Sequence, residues 1–239
     1  MPAMRIQRAL ARAGIASRRG AEALVVAGRV TVNGAPARTG QSVDPDRDRI
    51  AVDGHLIAAQ SRLTWLVLNK PAGVLTTRAD PHGRPTIFDL VPPVPGLTYV
   101  GRLDYLTEGV LLLTTDGHGA HALTHPSREV EREYVATVRG NVEAALRLAR
   151  RGVMLEDGPV ELRDIEPTPL GRGRTDLRVV VAEGRNREVR RLCVALGLEV
   201  ERLVRTRFGP ITLRGLEPGG SRALTSRERA AIDALIGER

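Results

Sequence analysis

The sequence contains a single cysteine, Cys193, which excludes an internal disulfide and a zinc site built from several cysteines. It lacks any apolar run near the ~20 residues that a membrane helix requires, so we expect no bilayer-spanning segment. No uninterrupted apolar stretch near the start resembles a secretory signal. The scarcity of cysteine fits a reducing compartment, and we expect a cytoplasmic protein. Lysine occurs only at Lys70, so the other 35 of the 36 Lys and Arg residues are arginines.

Basic charge is concentrated at the amino-terminal end. The net charge is +8, and the first forty residues hold seven arginines and one acidic residue, Glu22. A basic end on a nearly neutral body predicts a polyanion-binding module attached to a second domain. An arginine-rich start is also typical of a mitochondrial transit peptide, but here it continues into helix and strand signals, which favours a folded module. A hydrophobic content of 42% excludes disorder along the whole chain.

The first fifty residues have the pattern of a small module with two helices and a sheet. Residues 5–13 place apolar side chains at helical spacing, with three arginines in one stripe. Ser17 is positioned to cap a second helix. Val30–Val32 predicts a strand, and Asn33-Gly34 predicts the tight turn after it. Residues 53–63 lack a clear period, so we expect a linker there.

From residue 64 onward the sequence pattern consists of repeated strand-like runs interrupted by predicted helices. Strands outnumber helices and do not alternate with them regularly, which favours an α+β fold with a mixed or antiparallel sheet. A capping box at Thr225–Glu228 marks the start of the last helix. The predicted strands are 65–68, 99–100, 110–114, 133–138, 160–165, 176–182, 200–206 and 211–213, and the predicted helices are 118–123, 142–151, 186–196 and 226–236.

A loop bounded by glycines, Gly101–Gly109, lies between two predicted strands and contains Asp104 and Glu108. An aspartate in a loop above a sheet is well placed for chemistry, but an Asx turn that joins two strands is the ordinary structural interpretation. Spacing alone favours the structural interpretation. Two acids of this kind also occur as the paired carboxylates of glycosidases, although acids four residues apart are common in any sequence.

A second basic segment opens the predicted helix at 186–196. Its arginines Arg187, Arg190 and Arg191 are expected to leave the helix on the side opposite its apolar face. With the first turn of the helix they form a candidate phosphate site, whereas the ordinary interpretation is a solvated helix face. The first basic region at the other end of the chain weakens that ordinary interpretation.

Other chemistry-bearing residues have weaker patterns. His118, His121 and His125 recur at helical spacing, but no cysteine or acidic cluster completes a metal site, and Pro126 breaks the helix. We therefore expect no metal there. Cys193 falls on the apolar side of its helix, so we expect it to pack in the core.

Four segments, in order along the second region, resemble the RNA pseudouridine synthases. Leu68–Val74 matches the family's first motif and contains the only lysine. Gly101–Gly109 matches the motif of the catalytic aspartate, and Arg132–Tyr134 matches the segment that carries the active-site tyrosine. Arg187–Arg191 matches the motif of the active-site arginine. Ahead of them, residues 5–43 resemble an S4 RNA-binding domain.

The resemblance implies an S4 domain over residues 1–52 and a synthase catalytic domain over residues 64–239. Residues 125–134 and 183–186 are similar to the branch of the family that acts on the large ribosomal subunit. The pair Tyr105-Leu106 departs from the usual residues that follow the catalytic aspartate. Two alternatives remain open, namely the same reaction on 16S ribosomal RNA and a non-catalytic S4 protein of ribosome assembly.

The implied function is isomerisation of a uridine of 23S ribosomal RNA to pseudouridine, with Asp104 as the catalytic residue assisted by Tyr134 and Arg190. No atoms or electrons are gained or lost in this reaction, so no cofactor and no metal are expected. The expected partner is ribosomal RNA or a pre-ribosomal particle, without an obligate protein partner. The candidate RNA-binding residues are Arg5, Arg8, Arg12, Ser17, Arg18, Arg19, Arg29, Asn33, Lys70, Arg102, Arg187 and Arg191.

Overall fold

The computed structural model describes residues 3–57 and 63–237 and divides into two compact units. The first comprises Met1–Thr64 with the short segments Pro93–Thr98 and Thr114–Gly117, and the second comprises the remainder. Helices and antiparallel-dominated sheets make up both, so the predicted α+β class is confirmed. Within the described ranges, no helix is long and apolar enough to cross a bilayer.

The first unit packs two helices against small sheets. A four-stranded sheet has the order β3-β2-β5-β6, and β1 pairs with β4. The buried side chains Ile6, Leu10, Val25 and Val30 form the centre of its core. Its elements are β1 (Met4–Arg5), α1 (Ile6–Arg12), α2 (Arg18–Val26), β2 (Val30–Val32), β3 (Ala35–Pro36), β4 (Ser42–Val43), β5 (Ile50–Val52) and β6 (His55–Leu56).

Local sequence signals explain the boundaries of this unit. Ser17 caps α2, because its hydroxyl accepts a hydrogen bond from the Gly20 amide at 3.1 Å. Asn33 and Gly34 both have positive φ, as a two-residue hairpin turn requires. Asp53 and Gly54, the first two residues of the expected linker, make a second such turn into β6. A two-residue strand is too short to show a period, and the rest of the expected linker, residues 58–62, lies outside the described residues.

The second unit is built on a nine-stranded sheet with the order β13-β14-β10-β15-β9-β7-β17, to which β8 and β16 add at β9 and β15. The β9–β15 pair is parallel, and β10 is antiparallel to both β14 and β15. Its strands are β7 (Trp65–Lys70), β8 (Thr98–Val100), β9 (Thr107–Thr114), β10 (Arg132–Arg139), β13 (Leu162–Gly171), β14 (Arg174–Val181), β15 (Glu199–Phe208), β16 (Ile211–Thr212) and β17 (Ser221–Ala223); β11 (Met154–Leu155) and β12 (Gly158–Pro159) form a separate hairpin.

Four helices complete this unit, and each was predicted within a few residues. The predicted capping box of the last helix is present, because Thr225 Oγ1 accepts from the Glu228 amide while Glu228 accepts from the Thr225 amide. Trp65, Leu112, Phe208 and other apolar side chains form the core. The helices are α3 (Gly117–Thr124), α4 (Val142–Ala149), α5 (Glu188–Ala195) and α6 (Ser226–Gly237).

The parallel contact between β9 and β15 depends on a glycine. Gly109 has a φ of +104°, and a Cβ at this position would collide with the main chain of Arg205. Only a residue without a side chain allows this approach. Because β9 follows the Asp104 loop directly, the close packing fixes the carboxyl-terminal end of that loop against β15.

Candidate active site

Asp104, Tyr134 and Arg190 line one cavity of about 310 Å³. They come from three different elements, namely the loop before β9, strand β10 and helix α5. The sequence separates them widely, and the fold brings them together as the family motifs implied. Their proximity makes this cavity the candidate active site.

The Asp104 carboxylate is available for chemistry. The residue is partly buried, and no side chain or amide of the described residues hydrogen-bonds its carboxylate oxygens. Its main chain is used instead, because its carbonyl oxygen accepts from the Thr107 amide at 3.0 Å. An ordinary Asx turn engages the aspartate side chain with nearby amides. The structural interpretation of the loop therefore does not account for this side chain.

Tyr134 and Arg190 differ in burial and in attachment. Tyr134 is 9% exposed and lies next to a register shift between β10 and β15. Arg190 is half-buried, and its Nη2 donates to the Leu106 carbonyl at 3.2 Å. Burial lowers the pKa of Arg190, as does the nearby Arg187, whereas the charge of Asp104 opposes this change. Arg190 therefore lies within electrostatic reach of Asp104, and its hydrogen bond holds it to the same loop.

Lys70 lies in the interior, which corrects its prediction as an RNA contact. Its side chain is 0% exposed, at the end of β7. Its ammonium donates to the carbonyl oxygens of Pro71, Asp104, Tyr105 and Thr107 at 2.9–3.3 Å. Desolvation lowers the pKa of Lys70 to about 8, and the charges of Asp104 and Glu108 oppose this shift. Lys70 anchors the loop that carries Asp104.

Two further contacts, which the sequence did not indicate, fix the same loop. The Gly73 amide donates to the Tyr105 carbonyl at 2.9 Å. The Thr76 hydroxyl donates to the Leu103 carbonyl at 2.8 Å, and the Leu103 amide lies 3.4 Å from the same hydroxyl. Both partners lie in the stretch after β7, so the first family motif and its continuation hold the loop of Asp104 in place. A threonine in a turn gives no sequence signal for such a long-range contact.

Two buried arginines and Phe208 contribute to the lining of the cavity, and sequence reasoning missed all three. Arg132 is 6% exposed and Arg205 is 2% exposed. Their guanidinium carbons lie 5.2 and 5.1 Å from the Phe208 ring centre, which is cation–π distance. Arg132 also donates to main-chain carbonyls, and burial lowers its pKa. Among so many arginines, no pattern in the sequence distinguishes these two as buried.

The remaining arginines of the site separate into two groups. Arg102 and Arg187 are exposed and line the cavity, and within the described residues neither side chain has a hydrogen bond or ion pair. Arg191 instead pairs with Asp157 at 2.8 Å, which raises its pKa. The prediction placed Arg187, Arg190 and Arg191 on one side of the helix. In the structure Arg187 and Arg190 line the cavity, whereas Arg191 is outside its lining and pairs with Asp157. Arg187 itself precedes α5 in a left-handed conformation, with a φ of +50°.

Glu108 is not a second catalytic carboxylate. Both of its oxygens accept from Arg202 at 2.9 Å, and it is absent from the cavity lining. The hydrogen bonds with Arg202 hold its pKa below the ordinary value. A glycosidase pair requires two carboxyl groups that both face the scissile bond. The glycosidase alternative therefore fails at this site.

The cysteine and the histidines have local roles. Cys193 is 0% exposed, and burial raises the pKa of its thiol to about 11, so the prediction that it packs in the core is confirmed. His125 Nδ1 lies 2.8 Å from the Ser127 hydroxyl at a short 3₁₀ turn. Its ring packs edge-on against His121 with centres 5.7 Å apart.

The candidate RNA surface of the first unit contains fewer free cations than predicted. Arg8, Arg18 and Arg19 are exposed, and in the part of the chain that the structure describes none of their side chains has a hydrogen bond or ion pair. Arg12 is half-buried in α1. The other predicted contacts are engaged within the unit: Ser17 caps α2, Arg5 donates to the Gly40 carbonyl, Arg29 pairs with Asp53, and Asn33 bonds Asp48 and the Arg49 amide.

Comparison with known families supports both halves of the expected resemblance. The family described as RNA pseudouridylate synthase matches residues 64–195, and the family described as S4 domain matches residues 4–48. A solved structure described as a pseudouridylate synthase aligns over 97% of this chain and 99% of its own, with a TM-score of 0.63 and 27% identity. The resemblance read from the four motifs is confirmed.

Curated relatives give the same result. The ribosomal large subunit pseudouridine synthase B of Pseudomonas aeruginosa is 48% identical over 98% of this chain and 62% of its own length. This chain therefore spans less than two thirds of that relative. An uncharacterized RNA pseudouridine synthase of Mycobacterium tuberculosis is 46% identical over 98% of this chain and 94% of its own length. The Escherichia coli synthase B is 49% identical over 90% of this chain and 77% of its own length.

Proposed function

The chain belongs to the RNA pseudouridylate synthase family, and we propose that it isomerises one uridine of 23S ribosomal RNA with Asp104 as the catalytic group. The observation that carries the proposal is the Asp104 carboxylate, which shares a cavity with Tyr134 and Arg190 and has no partner among the described side chains. A carboxylate that makes no hydrogen bond within the described residues and lines a cavity with a tyrosine and an arginine has the position of a reactive group.

The reaction breaks the N-glycosidic bond, turns the uracil and joins its C5 to the ribose C1′. Asp104 acts in this scheme as a nucleophile at C1′ or at C6 of the uracil, or as a base at C2′. Each route requires an ionised carboxylate, although closure of the site around substrate disfavours charge. Arg190 supplies the compensating positive charge, since it is tied to the same loop through the Leu106 carbonyl.

Tyr134 provides the second function of the site. Its ring stacks on the uracil in the proposed complex, and its hydroxyl assists removal of the proton from C5 after the new bond forms. The target uridine must leave any base stack to enter a cavity of about 310 Å³, so we expect it to be flipped out of the RNA. Hydrogen bonds from the Lys70 ammonium and the Gly73 amide already hold the main chain of the Asp104 loop in the absence of RNA.

Large-subunit ribosomal RNA is the proposed substrate for two reasons. Two of the relatives are named as large-subunit synthases, and the arginine-rich S4 domain presents free cations for phosphates and RNA shape. We assign affinity to residues 1–52 and chemistry to residues 64–239. The protein works in this proposal where ribosomes are assembled, on RNA or a pre-ribosomal particle, without an obligate protein partner.

Mapping of pseudouridines in ribosomal RNA from cells with and without the gene tests the substrate. We expect one 23S position to lose its modification in the deletion strain and to regain it when the gene is restored. A change confined to 16S RNA would identify the small subunit as the substrate. An unchanged map, together with no turnover on 23S transcripts by the purified protein, would support the non-catalytic alternative.

A further inference from the structure

A second cavity adjoins the active site and has no part in the reaction described above. It has a volume of about 350 Å³ and lies between the loop that runs from Leu75 to Arg84 and the segment Arg102–Tyr105. The residues Arg102, Leu103 and Asp104 line both cavities. A group bound in the second cavity is therefore an immediate neighbour of a group bound at Asp104.

Tyr105 gives this second cavity an accessible aromatic face. Its side chain is 42% exposed, whereas the other five aromatic residues of the chain are buried or half-buried. Within the described residues, its hydroxyl makes no hydrogen bond that would explain its position. Aromatic residues make up only 3% of this chain, and Tyr105 is exposed directly beside the proposed catalytic aspartate. Its exposure leaves an aromatic face open to solvent at the edge of the second cavity.

The tyrosine is held on a fixed support. Its carbonyl accepts hydrogen bonds from the Gly73 amide at 2.9 Å and from the Lys70 ammonium at 3.3 Å. Its hydroxyl lies beside Gly73, at 3.9 Å from where a Cβ of that residue would stand. A group that is already ordered loses little conformational entropy when a ligand binds. Tyr105 is therefore suited to act as a binding platform.

The opposite wall is also ordered, by Asp80. Its carboxylate accepts from the His82 and Arg84 amides at 3.0 and 3.1 Å and from the Arg84 guanidinium at 2.8 and 3.1 Å. These bonds lower the pKa of Asp80 to about 2, and the hydrogen bond from the Arg84 side chain is the largest cause. Asp80 thus holds Arg84 at the cavity. On the other side Arg102 is exposed, and its side chain has no hydrogen bond or ion pair among the described residues.

A flat aromatic face next to an arginine that has no acidic partner, here Arg102, is the chemistry that binds a nucleotide, with the base on the ring and the phosphate at the cation. Flipping of the target uridine leaves the adjacent base without its stacking partner on one side. We propose that the second cavity binds the nucleotide adjacent to the target uridine, with its base stacked on Tyr105 and its phosphate at Arg102. This inference rests on the proposed RNA function and adds a determinant of sequence context to it.

The test combines protein variants with modified RNA. Fragments of 23S RNA that contain the mapped uridine are prepared intact, with an abasic residue on its 5′ side, and with one on its 3′ side. The values of kcat/KM are measured for the wild type, Tyr105→Ala, Tyr105→Leu and Tyr105→Phe. We expect Tyr105→Ala and Tyr105→Leu to lose about 10-fold on intact RNA and Tyr105→Phe to match the wild type. On one of the abasic fragments the loss should fall below about 2-fold, which identifies the side of the stacked base.

Leu106→Ala is the matched control, because Leu106 is 60% exposed on the same loop and lines neither cavity. Its effect should be equal on intact and abasic RNA. Equal losses for Tyr105→Ala on all three fragments would show that the tyrosine supports only the protein and would overturn the inference. The activity of the wild type on intact RNA separates the two hypotheses. No turnover by the wild type contradicts the proposed function. Turnover by the wild type, with a Tyr105→Ala loss that does not depend on the abasic position, contradicts only the second site.

Discussion

The Lys70 ammonium donates a hydrogen bond to the main-chain carbonyl of Asp104 at 3.1 Å. The lysine belongs to β7 and the aspartate to the loop before β9, so the contact joins two neighbouring parts of the sheet. Burial of an ammonium group is costly unless its donors are satisfied, and here four carbonyl oxygens surround it. A charged group kept in the interior at this cost fixes the position of the loop that carries the carboxylate.

Replacement of Lys70 by Met should therefore reduce turnover more than binding. The variant keeps the apolar stem and removes the donor, so kcat should fall about 100-fold while KM changes little. Loss of the hydrogen bonds made by the buried ammonium should lower the free energy of unfolding by about 1–3 kcal/mol. Single-turnover kinetics and urea unfolding measure the two effects.

Arg227→Met is the control for this loss of a positive charge, because Arg227 is exposed on α6 and does not line the active-site cavity. It should change neither kcat nor stability by a measurable amount. A Lys70→Met protein with wild-type kcat would show that the loop keeps its position without the ammonium, and the anchoring argument would fail.

Arg190 and Arg187 should respond differently to removal. Arg190 is tied to the catalytic loop, so Arg190→Ala should abolish turnover at saturating RNA and leave the Kd within a few-fold. Arg187 is exposed at the cavity, so Arg187→Ala should raise the Kd and reduce the salt slope of binding by about 1. Filter binding across a salt series and tritium release from C5-labelled uridine give both quantities. Turnover retained in Arg190→Ala together with lost binding would reverse these roles.

The sequence predicted the elements of this fold better than the environment of its charged residues. β10 and α5 were located to within two residues because their periods are visible, whereas β13 continues six residues beyond its predicted end at residue 165 and β9 begins three residues before its predicted start at residue 110. Two-residue strands such as β6 have no period to detect. Spacing favoured an Asx turn at Asp104, and only the resemblance to a family pointed to this residue as the candidate catalytic group.

Burial of basic residues could not be read from the chain, because a charged side chain is exposed by default. Lys70 attracted notice as the only lysine, yet its position under the loop depends on the alignment of β7 with β9. Arg132 and Arg205 are buried because β10 and β15 pair across a long stretch of sequence. Such pairings are set by tertiary packing and leave no local pattern.

The three free arginines of the S4 domain should determine how binding depends on salt. The triple variant Arg8→Ala, Arg18→Ala, Arg19→Ala should flatten the slope of log K against log salt by about 2, because fewer counterions are released. A matched triple variant removes Arg147, Arg163 and Arg229, which already form ion pairs with acidic side chains. That control has the same change in net charge and should leave the slope nearly unchanged; equal slopes for both triples would contradict the assignment.

Glu228 should make stability depend on acid pH. Its carboxylate is 2% exposed and pairs with Arg222 at 2.8 Å. This bond, with those from Thr225, lowers its pKa from the ordinary 4.5 to about 2. A lowered folded-state pKa gives stability that is present above pH 4.5 and is lost as the pH falls through about 2. Glu228→Gln should therefore cost about 3 kcal/mol at pH 7, with a difference from the wild type that shrinks between these two pH values.

Urea unfolding at several pH values checks this expectation, with Asp233→Asn as its control. Asp233 is 51% exposed in its pair with Arg229, and exposed pairs contribute about 0–1 kcal/mol. The control should change stability little at any pH. A Glu228→Gln difference that stays constant from pH 7 to about pH 3 would refute the role given to this carboxylate.

In the proposed reaction the Asp104 carboxylate performs the chemistry, and the decisive measurement is the rate of pseudouridine formation by Asp104→Ala. Tritium release from C5-labelled uridine in 23S transcripts is measured beside RNA binding, with Glu108→Ala as the control acid that is paired with Arg202. We expect no detectable turnover by Asp104→Ala, a Kd within a few-fold of wild type, and measurable turnover by Glu108→Ala. Wild-type turnover by Asp104→Ala would show that another group performs the chemistry.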